Sequence, residues 1–186
     1  MALVEDVFLA RGKWSRETGR EFLMDQVAGD FCREAGIPSD EDFCTEFVDN
    51  YMREWRLTVR PVPGGSGLLH RLARHYRLGL ISNTHHPPAV YQLLEAMDLR
   101  NIFEVITLSA EIGMPKPNRE IFDATLAPLG LEPGSAVYIG DSFESDYQGA
   151  RGAGIAAYLI GKHARVPRDH LLRSILDLPI HFDISA

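Results

Sequence analysis

Two carboxylates, Asp141 and Asp146, close the octet Ile139-Gly140-Asp141-Ser142-Phe143-Glu144-Ser145-Asp146, in which a short apolar run breaks at a glycine. Residues 136–139 read as a buried strand. Gly140 lets the backbone turn, and Asp141 falls at the strand's carboxyl end, where open α/β sheets place their ligands. A helix starting within the turn brings both acids to one rim. Close carboxylates repel, so the pair calls for a cation or a positive side chain. A second reading stands beside the metal site: Asp141 and Ser142 as helix N-caps, with Asp146 a solvated acid of the first turn.

Two further groups have the same setting. After the apolar run 78–81 come Ser82 and Asn83, which can offer a hydroxyl and backbone N–H groups to an anion. Lys116 stands between Pro115 and Pro117, so its backbone is restricted and its ammonium is aimed. Each group alone reads as a turn residue or a surface charge. A hydroxyl, a positioned lysine and metal-binding acids on one rim are together what phosphoryl transfer needs, since its catalysis is largely positioning and charge neutralisation.

The elements that must hold these groups alternate. Beyond Gly65, helical stretches containing Leu68 and Leu72, Val90 and Leu94, and Ile121, Phe122 and Leu126 lead to apolar runs at 78–81, 105–108 and 136–139; a turn from 141 to 154 leads to another at 155–160. Strands alternating with helices of this length mean βαβ units and a parallel sheet. Residues 1–60 are instead helical throughout, with Ser39 the expected N-cap of a helix carrying Phe43, Phe47, Val48, Tyr51 and Trp55 as a packing stripe. Pro61-Val62-Pro63-Gly64-Gly65 punctuates the chain, so residues 1–60 and 61–186 form the two parts. The tail from Arg165 reads as a closing helix with Leu171, Leu172, Ile175 and Leu176. His85 and His86, ahead of a helix start at Pro87-Pro88, read as solvent-facing, with contact to a ligand left open.

Ile81-Ser82-Asn83, Lys116-Pro117 and the octet ending at Asp146 resemble, in order, motifs two, three and four of the haloacid dehalogenase-like (HAD) superfamily. The resemblance covers nearly the whole chain. It implies an α/β, Rossmannoid parallel sheet flanked by helices, with residues 1–60 as a small all-helical cap over the incomplete core 61–186. It also implies a phosphatase acting on a small phosphorylated metabolite through an aspartyl-phosphate. By that likeness Ser82 contacts the phosphoryl oxygens with Asn83 beside it, and Lys116 neutralises charge on nucleophile and phosphate. Asp141 holds Mg2+, and Asp146 supports the metal shell or orients Lys116. The acidic text of motif four favours a phosphatase over a metal-free 2-haloacid dehalogenase.

The family's motif one, an apolar strand followed by Asp-x-Asp that supplies nucleophile and general acid, is absent. Glu5-Asp6 is adjacent rather than spaced, Asp25 and Asp30 lie in a helical stretch, and Asp40 with Asp42 follows no strand. In the family that strand lies between those ending here at Ile81 and Ile139, so a central first strand is missing. Omitting five buried residues at ~2 kcal/mol each forfeits on the order of 10 kcal/mol, comparable to a whole domain's stability of ~5–15 kcal/mol. The two open inner edges then invite homodimer formation or strand exchange. The expectation is that the sequence starts downstream of that strand and that this chain alone does not turn over substrate. A non-catalytic phosphate-binding or regulatory role is the alternative.

At 186 residues with 45% hydrophobic content the chain suits a soluble core with a small insertion. A net charge of −7 without a Lys/Arg block argues against nucleic-acid and acidic-membrane partners. Cys32 and Cys44 read as buried free thiols. The first residues carry neither a basic region nor a long apolar core, so a cytoplasmic location is expected.

Overall fold

The computed structural model describes residues 2–178. Three helices come first: α1 (Ala2–Thr18), α2 (Met24–Ala35) and α3 (Glu41–Thr58). They share a core of Val7, Phe22, Met24, Val27, Val48 and Met52, to which Ala89 from the following part also contributes. α3 begins one residue later than expected. Asp40, not Ser39, is its cap, with a carboxylate oxygen accepting the Phe43 N–H at 2.8 Å. Ser39 instead lies 3.6 Å from the sulfur of Cys44, which is only half-buried, whereas Cys32 is fully buried. Of the α3 stripe only Val48 is buried; Phe43, Phe47 and Tyr51 line an open groove with Phe8 and Leu9 of α1. The stripe is therefore wider than the surface available to cover it.

The second part alternates as its apolar runs require. Helix α4 (Gly65–Leu72) leads to β1 (Gly79–Ser82), α5 (Pro87–Ala96) to β2 (Val105–Leu108), and α6 (Ser109–Ile112) with α7 (Arg119–Leu129) to β3 (Val137–Gly140). A π-helical turn at Phe143–Gln148 continues into α8 (Gly149–Gly152) and then β4 (Ala156–Ile160). The tail corrects the expected closing helix. It forms a 3-10 turn, the two-residue strand β5 (Leu171–Leu172) and a second 3-10 turn at Ile175–Asp177. The carboxylate of Asp177 accepts the N–H groups of Arg173 and Ser174 and so tightens the backbone into a turn. Adjacent Leu171 and Leu172 are strand neighbours pairing with Leu159 and Ile160, not members of a helical stripe. The apolar end after Leu178 lies outside the described residues.

All strand pairs are parallel, but among the described residues the sheet is in two pieces, β1–β2 and β3–β4–β5. The free edges of β1 and β3 border a slot of about 450 Å³, lined by Leu78, Gly79 and Ile81 on one side and residues 136–139 on the other. Phe122, Thr125 and Leu126 of α7 cover one part of it, and Leu72 and Leu178 another. The burial gradient is reversed from that of a closed parallel sheet, whose middle strands are the most buried. Neither β1 nor β3 contains a fully buried residue, while β2 and β4 each contain two. This matches the expectation of an absent central strand. No helix among the described residues is long and apolar enough to cross a membrane.

The capping geometry gives a direct check. Asp40→Ala lowers the unfolding free energy by about 1 kcal/mol, while Ser39→Ala changes it by less than ~0.5 kcal/mol. Equal losses in chemical denaturation contradict the assignment of the cap.

Candidate active site

The carboxyl ends of β1 and β3 and the loop between α6 and α7 converge on Lys116. Its ammonium lies 2.6 Å from an Asp146 oxygen, 2.9 Å from the Tyr138 hydroxyl and 3.4 Å from the Ile81 carbonyl. Ile81 belongs to β1 and Tyr138 to β3, so this one side chain spans the mouth of the slot. The Lys116 and Asp146 side chains are 10% and 5% exposed, which makes the pair nearly buried.

Asp146 has no spare oxygen. One accepts from Lys116 and from the Tyr138 hydroxyl at 2.9 Å; the other accepts the backbone N–H groups of Asp141 and Ser142 at 3.1 and 2.9 Å. Burial pushes its carboxyl up, but the Lys116 charge and hydrogen bond, the Ser142 N–H and the Tyr138 hydroxyl together hold it below the usual carboxylate range. The opposite holds for Tyr138. Burial first, then the charge and hydrogen bond of Asp146, push its phenol well above the ordinary range, so it stays a donor.

Two features of the backbone make this arrangement fit. A methyl group on Gly140 would overlap the Asp146 side chain, so the glycine leaves the room the carboxylate occupies. The π-helical turn, capped by the Ser142 hydroxyl accepting from the Ser145 N–H at 3.2 Å, then returns Asp146 beneath β3. The Lys116 backbone is fixed separately. The Asn83 amide oxygen accepts the Lys116 N–H at 2.8 Å and its NH₂ donates to the Lys116 carbonyl at 3.0 Å, while the Lys116–Pro117 peptide is cis.

The sequence-derived residues thus divide into two groups. Ser82 and Asp141 sit at the ends of β1 and β3, and the Asp141 carboxylate has no hydrogen-bond or ion-pair partner among the described residues. Asn83 instead spends its amide on the Lys116 backbone, and Asp146 divides its two oxygens between Lys116 with Tyr138 and the N–H groups of Asp141 and Ser142. The reading of Asp146 as a solvated first-turn acid is corrected: it is 3% exposed. Ser142 is an N-cap and Asp141 is not. Among the described residues no three His, Cys, Asp or Glu side chains gather as a metal site. A single unpaired carboxylate still fits a magnesium ion, which commonly takes one or two carboxylates with water and substrate phosphate as its other ligands. The other candidate acids lie elsewhere: Asp40 caps α3, and Asp30 pairs with Arg11 and Arg33.

Sequence reasoning missed three residues. From the sequence Tyr138 reads only as a strand residue, although a tyrosine two positions before Gly140 on the same strand face is a usable signal. Glu21 and Ser109 carried none. The Glu21 side chain is 2% exposed, accepts from Ser109 Oγ at 2.5 Å and lies 3.0 Å from His85 Nδ1. Burial pushes its carboxyl up, while bonds from His85, Ser109 and the Phe22 N–H bring it below the usual range. His85 stacks on Phe22 with ring centres 3.8 Å apart, and His86 Nδ1 accepts the Ala89 N–H at the start of α5. Both histidines are therefore structural contacts, not the solvent-facing pair expected. Together with Met24 N–H to His85 carbonyl (2.9 Å) and Asn118 NH₂ to Gly19 carbonyl (3.1 Å), Glu21 stitches residues 19–24 to the rim.

Comparison with known proteins follows the same outline. A family model described as haloacid dehalogenase-like hydrolase matches residues 5–160. A glyceraldehyde 3-phosphate phosphatase from Methanothermobacter thermautotrophicus is 33% identical over 129 residues, 68% of this chain and 57% of that protein. The pyrimidine 5'-nucleotidase YjjG of Escherichia coli is 36% identical over 107 residues, 56% of this chain and 47% of its own. The chain thus spans about half the length of these curated relatives. A 2-haloacid dehalogenase structure from Pseudomonas syringae superposes with a TM-score of 0.74 at 22% identity, covering 95% of this chain and 79% of that one, which establishes the fold.

The buried pair sets a pH-dependent test. Asp146→Asn leaves a nearly buried ammonium without its counter-charge and costs about 3–5 kcal/mol at neutral pH. Because the folded-state carboxyl is depressed, its contribution is complete above the ordinary carboxylate range and is lost as pH falls through the depressed value. The stability gap between wild type and variant in urea titrations therefore narrows in acid. A gap of the same size at both pH values contradicts the pairing.

Proposed function

The chain belongs to the haloacid dehalogenase-like hydrolase family, and from that premise we propose that it carries the phosphoryl-binding half of a magnesium-dependent phosphatase for small phosphorylated metabolites. The observation that carries this reading is the nearly buried Lys116 ammonium, held by Asp146 and Tyr138 at the rim between Ser82 and Asp141. The two phosphate-ester hydrolases among its relatives support the substrate class. No finer substrate is proposed.

In this reading Ser82 donates its hydroxyl to a phosphoryl oxygen. Lys116 places positive charge beside the transferring group, where preorganised charge lowers the barrier without reorganisation. Asn83, Asp146 and Tyr138 are positioning residues: they fix the backbone and ammonium of Lys116. Asp141 would hold magnesium, which when bound supplies further positive charge against the phosphoryl oxygens. Turnover needs a carboxylate whose oxygen bonds phosphorus as the ester P–O bond breaks, with a proton delivered to the departing alcohol oxygen. Water then cleaves the acyl phosphate, releasing phosphate and restoring the carboxylate. No aspartate pair of the required kind lies at the rim among the described residues. This favours phosphate binding without turnover by this chain, which is also the signature of a regulatory phosphate binder.

Calorimetric titration with inorganic phosphate, with and without Mg2+, tests the reading. Phosphate binds, Mg2+ strengthens it, Lys116→Ala weakens it at least tenfold, Ser82→Ala weakens it several-fold, and Asp141→Asn removes the Mg2+ effect alone. Affinity indifferent to Lys116 sinks the proposal. With an aryl phosphate the chain shows no hydrolysis, in keeping with losses of about 10⁶ when a nucleophile is removed. Hydrolysis abolished by Asp141→Asn reveals instead a nucleophile on this chain.

A further inference from the structure

We propose that Cys32 and Cys44 are a modification site: a thiol pair that a peroxide oxidises to a disulfide, stapling α2 to α3. Cys32 lies in the last turn of α2 and Cys44 in the first turn of α3. The chain between them reverses tightly. Gly36, at a φ of 66° that suits a residue without a side chain, ends α2, and the Ile37 N–H bonds to the Cys32 carbonyl at 3.0 Å. The Cys44 N–H donates to the Asp40 carbonyl at 3.1 Å as α3 begins. Both cysteine backbones are thus fixed by the turn that joins their helices.

Across this turn the side chains converge. The Cys32 thiol is in contact with the Cys44 thiol and with the Ser39 hydroxyl, and that hydroxyl lies 3.6 Å from the Cys44 sulfur. Cys44 also packs against the cluster that includes Val27, Ala28 and Val48, so α2 and α3 are in contact at this level. Sulfurs already in contact have only to close to about 2.05 Å. Exposure then divides the roles. Cys32 is 0% exposed, whereas Cys44 is half-buried, so a dissolved oxidant meets Cys44 first. Burial, then the charge and hydrogen bond of Cys44, push the Cys32 thiol up, with the Ser39 hydroxyl pulling the other way. Cys32 therefore rests as a protonated thiol and serves as the resolving partner.

The chemistry runs in two steps. The Cys44 sulfur attacks one oxygen of hydrogen peroxide, the O–O bond breaks, and the thiol proton leaves with the other oxygen as water. The product is a sulfenic acid on Cys44. The Cys32 sulfur then attacks the Cys44 sulfur, the S–O bond breaks, and the Cys32 proton leaves with the hydroxyl as a second water. Each sulfur has lost one electron and the peroxide has gained two. A resolving thiol in contact captures the sulfenic acid before further peroxide carries it to the irreversible acids. The bridge restrains the unfolded chain between the two cysteines. It also fixes one wall of the α1–α3 groove, because Phe31, next to Cys32, stacks on Phe47 with ring centres 5.0 Å apart. None of this depends on the phosphoryl site.

The test exposes the whole reduced chain to hydrogen peroxide, quenches it, and blocks the remaining thiols with N-ethylmaleimide in guanidinium. Intact mass shows the loss of two hydrogens with no maleimide added. Peptide mapping finds Cys32 and Cys44 joined within a monomeric chain, and dithiothreitol restores both thiols. In Cys44→Ala, a change at a half-buried position that keeps the circular dichroism of wild type, Cys32 oxidises at least tenfold more slowly. In Cys32→Ala, dimedone traps a sulfenic acid on Cys44. Oxidised wild type melts about 5 °C or more above the reduced protein, and Cys44→Ala shows no such gap. Oxygen added to Cys44 with Cys32 still free overturns the proposal, as does inertness of both thiols. Chains cross-linked to one another through Cys44 also overturn it, and so does a bridged chain that melts no higher than the reduced one.

Discussion

A single buried ion pair organises the rim of this protein. The Lys116 ammonium and the Asp146 carboxylate are withdrawn from water almost completely, which is favourable only if the remaining donors and acceptors are satisfied. They are: Tyr138 stands between the two, two backbone N–H groups close on the carboxylate, and Asn83 grips the lysine's main chain at both ends. The constraint reaches back into the sequence. Gly140 must lack a side chain, the turn after it must be wound as a π-helix, and Tyr138 must stay protonated. The Asp141 carboxylate is left unencumbered because other residues do the holding, and the Ser82 hydroxyl makes only a long bond to the Asn83 carbonyl.

Much of this was legible in the sequence because the strand ends announce themselves. Apolar runs followed by Ser82, by Gly140-Asp141, and a lysine between prolines locate the rim without coordinates. The division of labour between Asp141 and Asp146 was not legible. Both are acids near one glycine, and only the π-helical winding decides which faces solvent and which turns under the strand. Asn83 illustrates the same limit: an amide can serve a ligand or a neighbouring loop, and its spacing to Lys116 along the chain says nothing about either.

Other departures have a common cause, the competition of tertiary packing with local periodicity. Leu171, Leu172, Ile175 and Leu176 satisfy a helical spacing, yet the edge of β4 captures the first two as a strand and Asp177 turns the chain back on itself. In α3 the aromatic stripe outruns the surface that α1 and α2 provide, so Val48 and Met52 are covered while Tyr51 and Trp55 stay partly open. The joint made by Glu21, Ser109 and His85 combines residues remote in sequence, with no pattern to mark it.

The interrupted sheet has a consequence for cooperativity. A continuous ladder passes stability from strand to strand, whereas here the pieces β1–β2 and β3–β4–β5 are joined by side chains: those of α7, the cluster of Leu68, Leu72 and Leu78 with Ile139, Ile160, Leu172 and Leu178, and the ammonium of Lys116. Small proteins lose structure all at once when every part depends on every other. Where a seam crosses the middle of the fold, each side can open on its own with a free energy below that of the whole. The seam between Ile81 and Ile139 is thus where a partial opening of the fold would start, with the Leu68–Leu72–Leu172–Leu178 cluster and the ammonium of Lys116 as the clasps across it.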